Sequence, residues 1–163
     1  MSTENNLKAA FAGESQANRK YLAFAAKADQ EGYPGVAKLF RAAAEAETIH
    51  ALSELKALGL VKSTAENLQA AIEGETYEFT EMYPDFIKTA EEEGNNQAKR
   101  VFHFANEAEK VHAELYKKAL AALEKKEDID FYLCPVCGYI HEGSAPDKCP
   151  ICGAKGSSFK NVG

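Results

Sequence analysis

Apolar residues recur at helical spacing in four stretches over the first 124 positions, and the period stops in the last thirty or so. Leu7, Phe11, Glu14, Asn18 and Tyr21 mark one stripe of a first helix over about 5–31, which Gly32-Tyr33-Pro34-Gly35 breaks. A second helix, about 36–58, turns Leu39, Ala43, Glu47 and His50 inward and stops at Gly59. Ser63-Thr64-Ala65-Glu66 has the capping-box pattern and opens a third helix carrying Leu68, Ile72, Glu75, Phe79 and Met82. Pro84 removes one hydrogen bond and predicts a kink, after which the pattern resumes through Phe86 and Ile87 to Gly94. A fourth helix, about 96–124, carries Val101, Ala105, Glu109, His112 and Tyr116. The prediction is a mainly α protein, a four-helix bundle followed by a small module.

The charged residues on these stripes change the picture. Glu14, Glu47, Glu75 and Glu109 each stand where the period asks for an apolar side chain, with alanine, isoleucine or phenylalanine three and four residues away. Glu47 and His50, and again Glu109 and His112, are three apart and share a helix face, and Glu78 lies one turn beyond Glu75. Carboxylates buried without counter-charge are costly. No Lys or Arg is among their neighbours on the stripes, so the pattern calls for metal cations. A glutamate from one helix of each pair, with Glu-x-x-His from the other, is the inventory of a dinuclear iron or manganese site in a bundle core. Carboxylates bridge two ions, and imidazole suits iron without adding charge. A solvated glutamate face is the alternative; it describes Glu114, between Lys110 and Lys118, but not these seven. His103 is offset from the His112 face and reads as a surface residue. Tyr21 and Tyr83 lie about two turns beyond Glu14 and Glu75, as ordinary core or as phenols hydrogen-bonded to a ligating carboxylate.

The 163 residues suffice for one domain plus a small module, and a net charge of −6 argues against nucleic acid and anionic membranes as partners. The first residues lack the basic and apolar regions of a signal peptide, and no apolar run approaches the ~20 residues of a membrane span. The expectation is a soluble cytoplasmic protein. All four cysteines fall near the end, as Cys134-Pro-Val-Cys137-Gly and Cys149-Pro-Ile-Cys152-Gly, beyond the charged stretch Lys125-Lys126-Glu127-Asp128. In a reducing compartment two such knuckles make a four-thiolate site for Zn or a single Fe. About thirty residues bury little core, so the metal carries folding of this module. His141 reads there as structural or exposed. The domains predicted are 1–126 and 131–163.

Taken together, Glu14 in Ala-Gly-Glu-Ser, Glu47-Thr-Ile-His50, Glu75-Thr-Tyr-Glu78, Met82-Tyr83-Pro84, Glu109-Lys-Val-His112 and the two knuckles resemble the rubrerythrins over nearly the whole chain. The resemblance implies a ferritin-like di-iron bundle fused to a rubredoxin-like module with short β-hairpins. It implies two Fe ions in the bundle and one Fe on the four cysteines, with Zn substitution on heterologous expression. It also implies an enzyme that reduces hydrogen peroxide to water in oxidative-stress defence. The resemblance further implies that electrons enter through the cysteine site, from rubredoxin or another donor served by an NAD(P)H-dependent reductase. Glu47 and Glu109 are implied as bridges, Glu14 on one iron, and Glu75 and His112 on the other. Glu78 and His50 are implied to alternate on the Glu14 iron, glutamate when oxidised and histidine when reduced. Two other functions fit the same residues: iron oxidation and handling, or a zinc-ribbon interaction module on a structural bundle.

Connectivity is the remaining question. A ferritin-like bundle runs its second and third helices parallel through a long crossover. From Glu47 to Gly59 and from Glu66 to Glu75 a parallel chain must climb ~31 Å. The seven intervals from Gly59 to Glu66 reach at most ~25 Å. Either the chain is an up-down-up-down bundle with a short turn, or it is a homodimer that exchanges helix pairs; the resemblance favours the exchange.

Overall fold

A computed structural model describes residues 2–163, and the chain divides into two compact units, Met1–Lys62 and Ser63–Gly163. The first unit is a helical hairpin, α1 (Thr3–Gln30) and α2 (Pro34–Ala57). Ser2 caps α1 by accepting from the Asn5 N–H, and Gly32, at φ 80°, makes the turn. Pro34 opens α2, where its missing N–H costs nothing. Ala37, Ala44 and Ala51, seven residues apart on α2, are all buried, as are Ala25 and Ala28 on α1. Small residues allow the helices close approach. Buried Asn18 crosses the gap, donating from Nδ2 to the Ala44 carbonyl at 2.7 Å and to Thr48 Oγ1 at 2.8 Å.

In the second unit the expected third helix is present, with a different irregularity. The Ser63–Glu66 capping box opens α3 (Thr64–Tyr77), as its pattern predicts. A π-helical turn follows at Glu78–Met82, then α4 (Tyr83–Glu92). The Tyr83 N–H reaches back five residues to the Glu78 carbonyl. Pro84 falls in the first turn of α4, where it needs no donor, so the π-turn accommodates the proline that the sequence reading expected to kink the helix. Asn95 caps α5 (Asn96–Ala121), which packs against both α3 and α4.

A three-stranded antiparallel sheet closes the chain, with β1 (Phe131–Leu133) between β2 (Ile140–Glu142) and β3 (Lys160–Val162). Gly156 must be glycine: a Cβ there would meet the Pro146 carbonyl oxygen. Phe104 of α5 packs on the cysteine cluster, and Lys118 of α5 pairs with Glu142 of β2 at 2.6 Å. The sheet module is thereby seated along α5. Among the described residues no helix is long and apolar enough to cross a membrane.

Candidate metal centres

Among the described residues three groups of ligand-type side chains form. On the hairpin, Glu14 of α1 meets Glu47 and His50 of α2, with ligand atoms within 4.8 Å of one another. His50 Nδ1 lies 2.8 Å from Glu47 Oε2. Glu14 hydrogen-bonds with Glu47, and this bond, burial and the charge of Glu47 raise the Glu14 carboxyl above its usual range. Glu54, one turn beyond His50, keeps Oε2 shielded from solvent without a partner and pushes Glu14 the same way. His50 itself is 56% exposed, so the first group is open on one side.

In the second unit Glu75 of α3 meets Glu109 and His112 of α5 within the same distance. His112 Nδ1 sits 2.6 Å from Glu109 Oε2, and the three side chains are only 16–21% exposed. Burial, then the hydrogen bond and charge of Glu109, push Glu75 up to about 7. Glu109 goes down despite its burial, because His112 and Glu75 hydrogen-bond to it. Burial and the charge of Glu109 raise Glu78, which opens the π-turn and stands outside the close group. Tyr83 is raised by burial and by the charges of Glu78, Glu109 and Glu75. Tyr21 stacks on Phe24 and Phe40 in the hairpin, 6.3 and 6.1 Å between ring centres. His103 is exposed, as its offset from the His112 face predicts.

The third group is Cys134, Cys137, Cys149 and Cys152, all free thiols. The Cys134–Cys152 and Cys137–Cys149 sulfurs are 3.6 and 3.5 Å apart. A tetrahedron with metal–sulfur bonds of ~2.3 Å has an edge of ~3.8 Å, so the spacing fits a four-thiolate metal site and not a disulfide. Burial opposes ionisation of Cys149, but the N–H groups of Cys152 and Ile151 donate to it and hold it at about 7. The knuckle backbone thus favours a thiolate.

One contact joins two of these groups and has no signature in the sequence. His112 Nε2 lies 2.9 Å from the carbonyl oxygen of Gly138, the residue after Cys137. Gly138 has φ 81°, a conformation that L side chains rarely adopt. Its carbonyl accepts from His112 Nε2–H, which leaves Nδ1 for the Glu75–Glu109 group. His112, Phe104 and Lys118 seat the cysteine module on the helix that supplies its neighbour's ligands.

The carboxylate groups also fit a cation. The groups that shift Glu14, Glu75, Glu78 and Glu109 are one another, Glu47, Glu54 and the two histidines, with no lysine or arginine among them. Repeated Glu and Glu-x-x-His sets beside a four-thiolate module define a ferritin-like carboxylate protein carrying a rubredoxin-like centre. Residues 5–120 match the family described as "Rubrerythrin", and residues 132–160 match "Rubrerythrin, rubredoxin-like domain". The chain belongs to the rubrerythrin family. Nigerythrin of Nitratidesulfovibrio vulgaris is 47% identical over 165 residues, spanning 93% of this chain and 82% of that protein. Rubrerythrin-2 of Clostridium acetobutylicum is 37% identical over 175 residues, spanning 97% and 95%. A solved structure of nigerythrin in its fully reduced, all-ferrous state is 43% identical, covers 99% of this chain and 87% of that one, and has a TM-score of 0.62.

Proposed function

We propose that this chain is a peroxidase that reduces hydrogen peroxide to water, taking electrons through its four-cysteine centre. The balance is one peroxide, two electrons and two protons to two waters. The observation that carries the reading is the hydrogen bond from His112 to Gly138, which puts a ligand of the carboxylate site in contact with the cysteine knuckle. Family membership supports the same reading.

In this reading Glu14, Glu47, His50, Glu75, Glu78, Glu109 and His112 hold two irons, and Cys134, Cys137, Cys149 and Cys152 hold one. Bound there, the iron pair supplies the two electrons that cleave the O–O bond. Glu47 and Glu109, each paired with a histidine one turn on, would be the carboxylates shared between the two ions. Glu78 and His50 would be the exchangeable ligands, the carboxylate suiting the oxidised state and the imidazole the reduced one. Tyr83, kept protonated by burial and by three carboxylates, would donate from its hydroxyl to a ligating carboxylate, and Tyr21 would be its counterpart on the hairpin. The helical part, 1–126, does the chemistry, and 131–163 accepts electrons from rubredoxin or a similar carrier fed by an NAD(P)H-dependent reductase in the cytoplasm.

The test is rapid mixing of the reduced, iron-loaded protein with peroxide or with oxygen. Reoxidation of the four-thiolate absorption with one peroxide per two electrons, faster than with oxygen, is expected. A colourless zinc protein with no redox change, or iron uptake without peroxide consumption, overturns the reading.

A further inference from the structure

We propose that the second cysteine knuckle, residues 149–153, with Lys148 and Lys155 beside it, is the docking face for a small acidic protein that carries one electron. The inference rests on the electron-entry reading above, and it names the surface used and the charge of the partner.

The two knuckles keep different company. The first makes the contact with the carboxylate site, through the Gly138 carbonyl and His112. Val136 at its tip is 57% exposed, but Cys134 and Cys137 are both buried. The second knuckle holds Cys152, the one cysteine of the four that is partly exposed, between partly exposed Ile151 and exposed Gly153. An electron has its shortest way in at the ligand nearest solvent. Exposed Pro150 and Ile151 supply the apolar patch that an interface centre needs. The carrier gives up one electron, the four-cysteine centre takes it, and no bond or proton moves.

Charge sets this face apart from the rest of the chain. Residues 131–163 carry Lys148, Lys155 and Lys160 against Glu142 and Asp147, one net positive charge in a chain of net −6. Glu142 is already taken by Lys118, at 2.6 Å. Lys148 and Lys155 pair across an isolated antiparallel bridge next to the knuckle. All three lysines are exposed and make no ion pair among the described residues. Lys148 lies over the knuckle itself: a Cβ on Gly153 would stand 3.2 Å from its Cε and 3.9 Å from its Nζ. Its ammonium therefore rests where glycine leaves room. The Debye length is ~8 Å at physiological salt, so these cations outweigh acidic residues farther off once a partner touches the face. Charges at the rim of an interface steer and orient the partner, and electron-transfer contacts are small enough for so few residues to matter.

The experiment titrates isotope-labelled, zinc-substituted rubredoxin of net negative charge, which is redox-inert, with the iron-loaded full-length protein, and reads Kd from the amide shifts. Wild type is compared with Lys148→Glu/Lys155→Glu. Lys20→Glu/Lys38→Glu, on exposed hairpin lysines, is the control with the same change of total charge. The four-thiolate absorption checks that the module is folded and loaded. Docking at the knuckle predicts a Kd raised roughly tenfold or more in the module pair and less than about twofold in the control pair, with the salt dependence of wild type flattened in the module pair. Lys148→Gln/Lys155→Gln repeats the test where the glutamates disturb the module, and should weaken binding in the same direction. A wild type that does not bind the rubredoxin, or equal losses in the module and control pairs, overturns the docking face. A c-type cytochrome of net positive charge that binds more tightly than the rubredoxin overturns the acidic partner. Chemically reduced protein that consumes no peroxide overturns the peroxidase reading alone, because the Kd is measured without turnover.

Discussion

The hairpin α1–α2 and the helices α3–α5 carry the same parts at a nearly constant distance along the chain. Glu47 and His50 stand 62 positions before Glu109 and His112, and buried Ala28 and Ala51 stand 62 before buried Ala90 and Ala113. The aromatic trio Tyr21, Phe24 and Phe40 has its counterpart, again 62 on, in Tyr83, Phe86 and Phe102, stacked at similar distances. Glu14 and Glu75 are only 61 apart. The extra residue lies between Glu75 and Tyr83, where the π-turn absorbs it. A π-turn is how an α-helix takes in one residue without losing its register on either side. The comparison therefore separates what the two halves share, a Glu, Glu-x-x-His set, from what the second half adds. The additions are Glu78 at the head of the π-turn and the cysteine module resting on His112.

The largest expected effect comes from removing the module. Cys149→Ser should cost one iron per chain, unfold 131–163 and abolish donor-dependent peroxide turnover, while helical circular dichroism and bundle iron persist. Donor-dependent turnover that survived would mean electrons enter elsewhere.

Single-residue deletions test the register next. Deleting exposed Thr80 from the π-turn should be tolerated, because Glu75 and Tyr83 then take the spacing of Glu14 and Tyr21. Deleting exposed Lys20 from the regular α1 should turn Tyr21 and Phe24 by ~100° relative to Glu14 and cost several kcal/mol. Thermal melts of the two variants read the difference, and equal losses would refute the insertion.

Glu78→Ala gives the second half the ligand set of the first. Iron content and folding should hold, because six ligands remain, while steady-state peroxide reduction falls roughly tenfold or more. Unchanged turnover would remove Glu78 from the cycle.

Two buried asparagines offer a finer contrast. Asn18 bridges α1 to α2 through two hydrogen bonds, whereas Asn106 leaves Oδ1 shielded and unpartnered. Asn18→Ala should lower stability by about 1–3 kcal/mol and Asn106→Ala by less, as read by denaturant titration.

The smallest effect is on pH. A carboxyl raised from 4.5 to about 7 favours its proton in the fold, so Glu75 stabilises below pH 4.5 and loses that contribution as pH rises through 7. Glu109, held low, acts in the opposite sense and only on acidification below its usual range, so the windows do not overlap. The metal-free chain should melt a few degrees lower at pH 8 than at pH 5, on the order of 1–2 kcal/mol after screening. Glu75→Gln should flatten that slope.

Much of this was legible because it is local. The helix stops at Gly32, Gly59 and Gly94, the Ser63 cap and the misplaced glutamates each depend on residues a few positions apart. The cysteine knuckles are equally short. The π-turn was not legible: hydrophobic period tolerates one extra residue, and Pro84 pointed to a kink. The repeat was obscured by the same insertion and by divergence, Ala44 aligning with Asn106 and Glu54 with Tyr116 at the common offset. The approach of His112 to Gly138 was beyond sequence reasoning because a backbone carbonyl has no residue type to announce it. His141 looked structural or exposed; it is half-buried, with Nδ1 shielded and lacking a partner.

The alanine seam of α2 has a consequence for mutational tolerance. Ala37, Ala44 and Ala51 hold the hairpin together by lacking bulk, since small side chains let helix axes come toward the lower end of the usual ~8–10 Å. The distance between Glu14 and Glu47 is thus fixed by the size of side chains that never touch a metal. Glycine and serine are the substitutions such positions can absorb. A valine at 44 would spread the helices and pull Asn18 from the Ala44 carbonyl, and the ligand pair would widen with them. Three methyl groups, two of them one turn from Glu47, act as the gauge of the site.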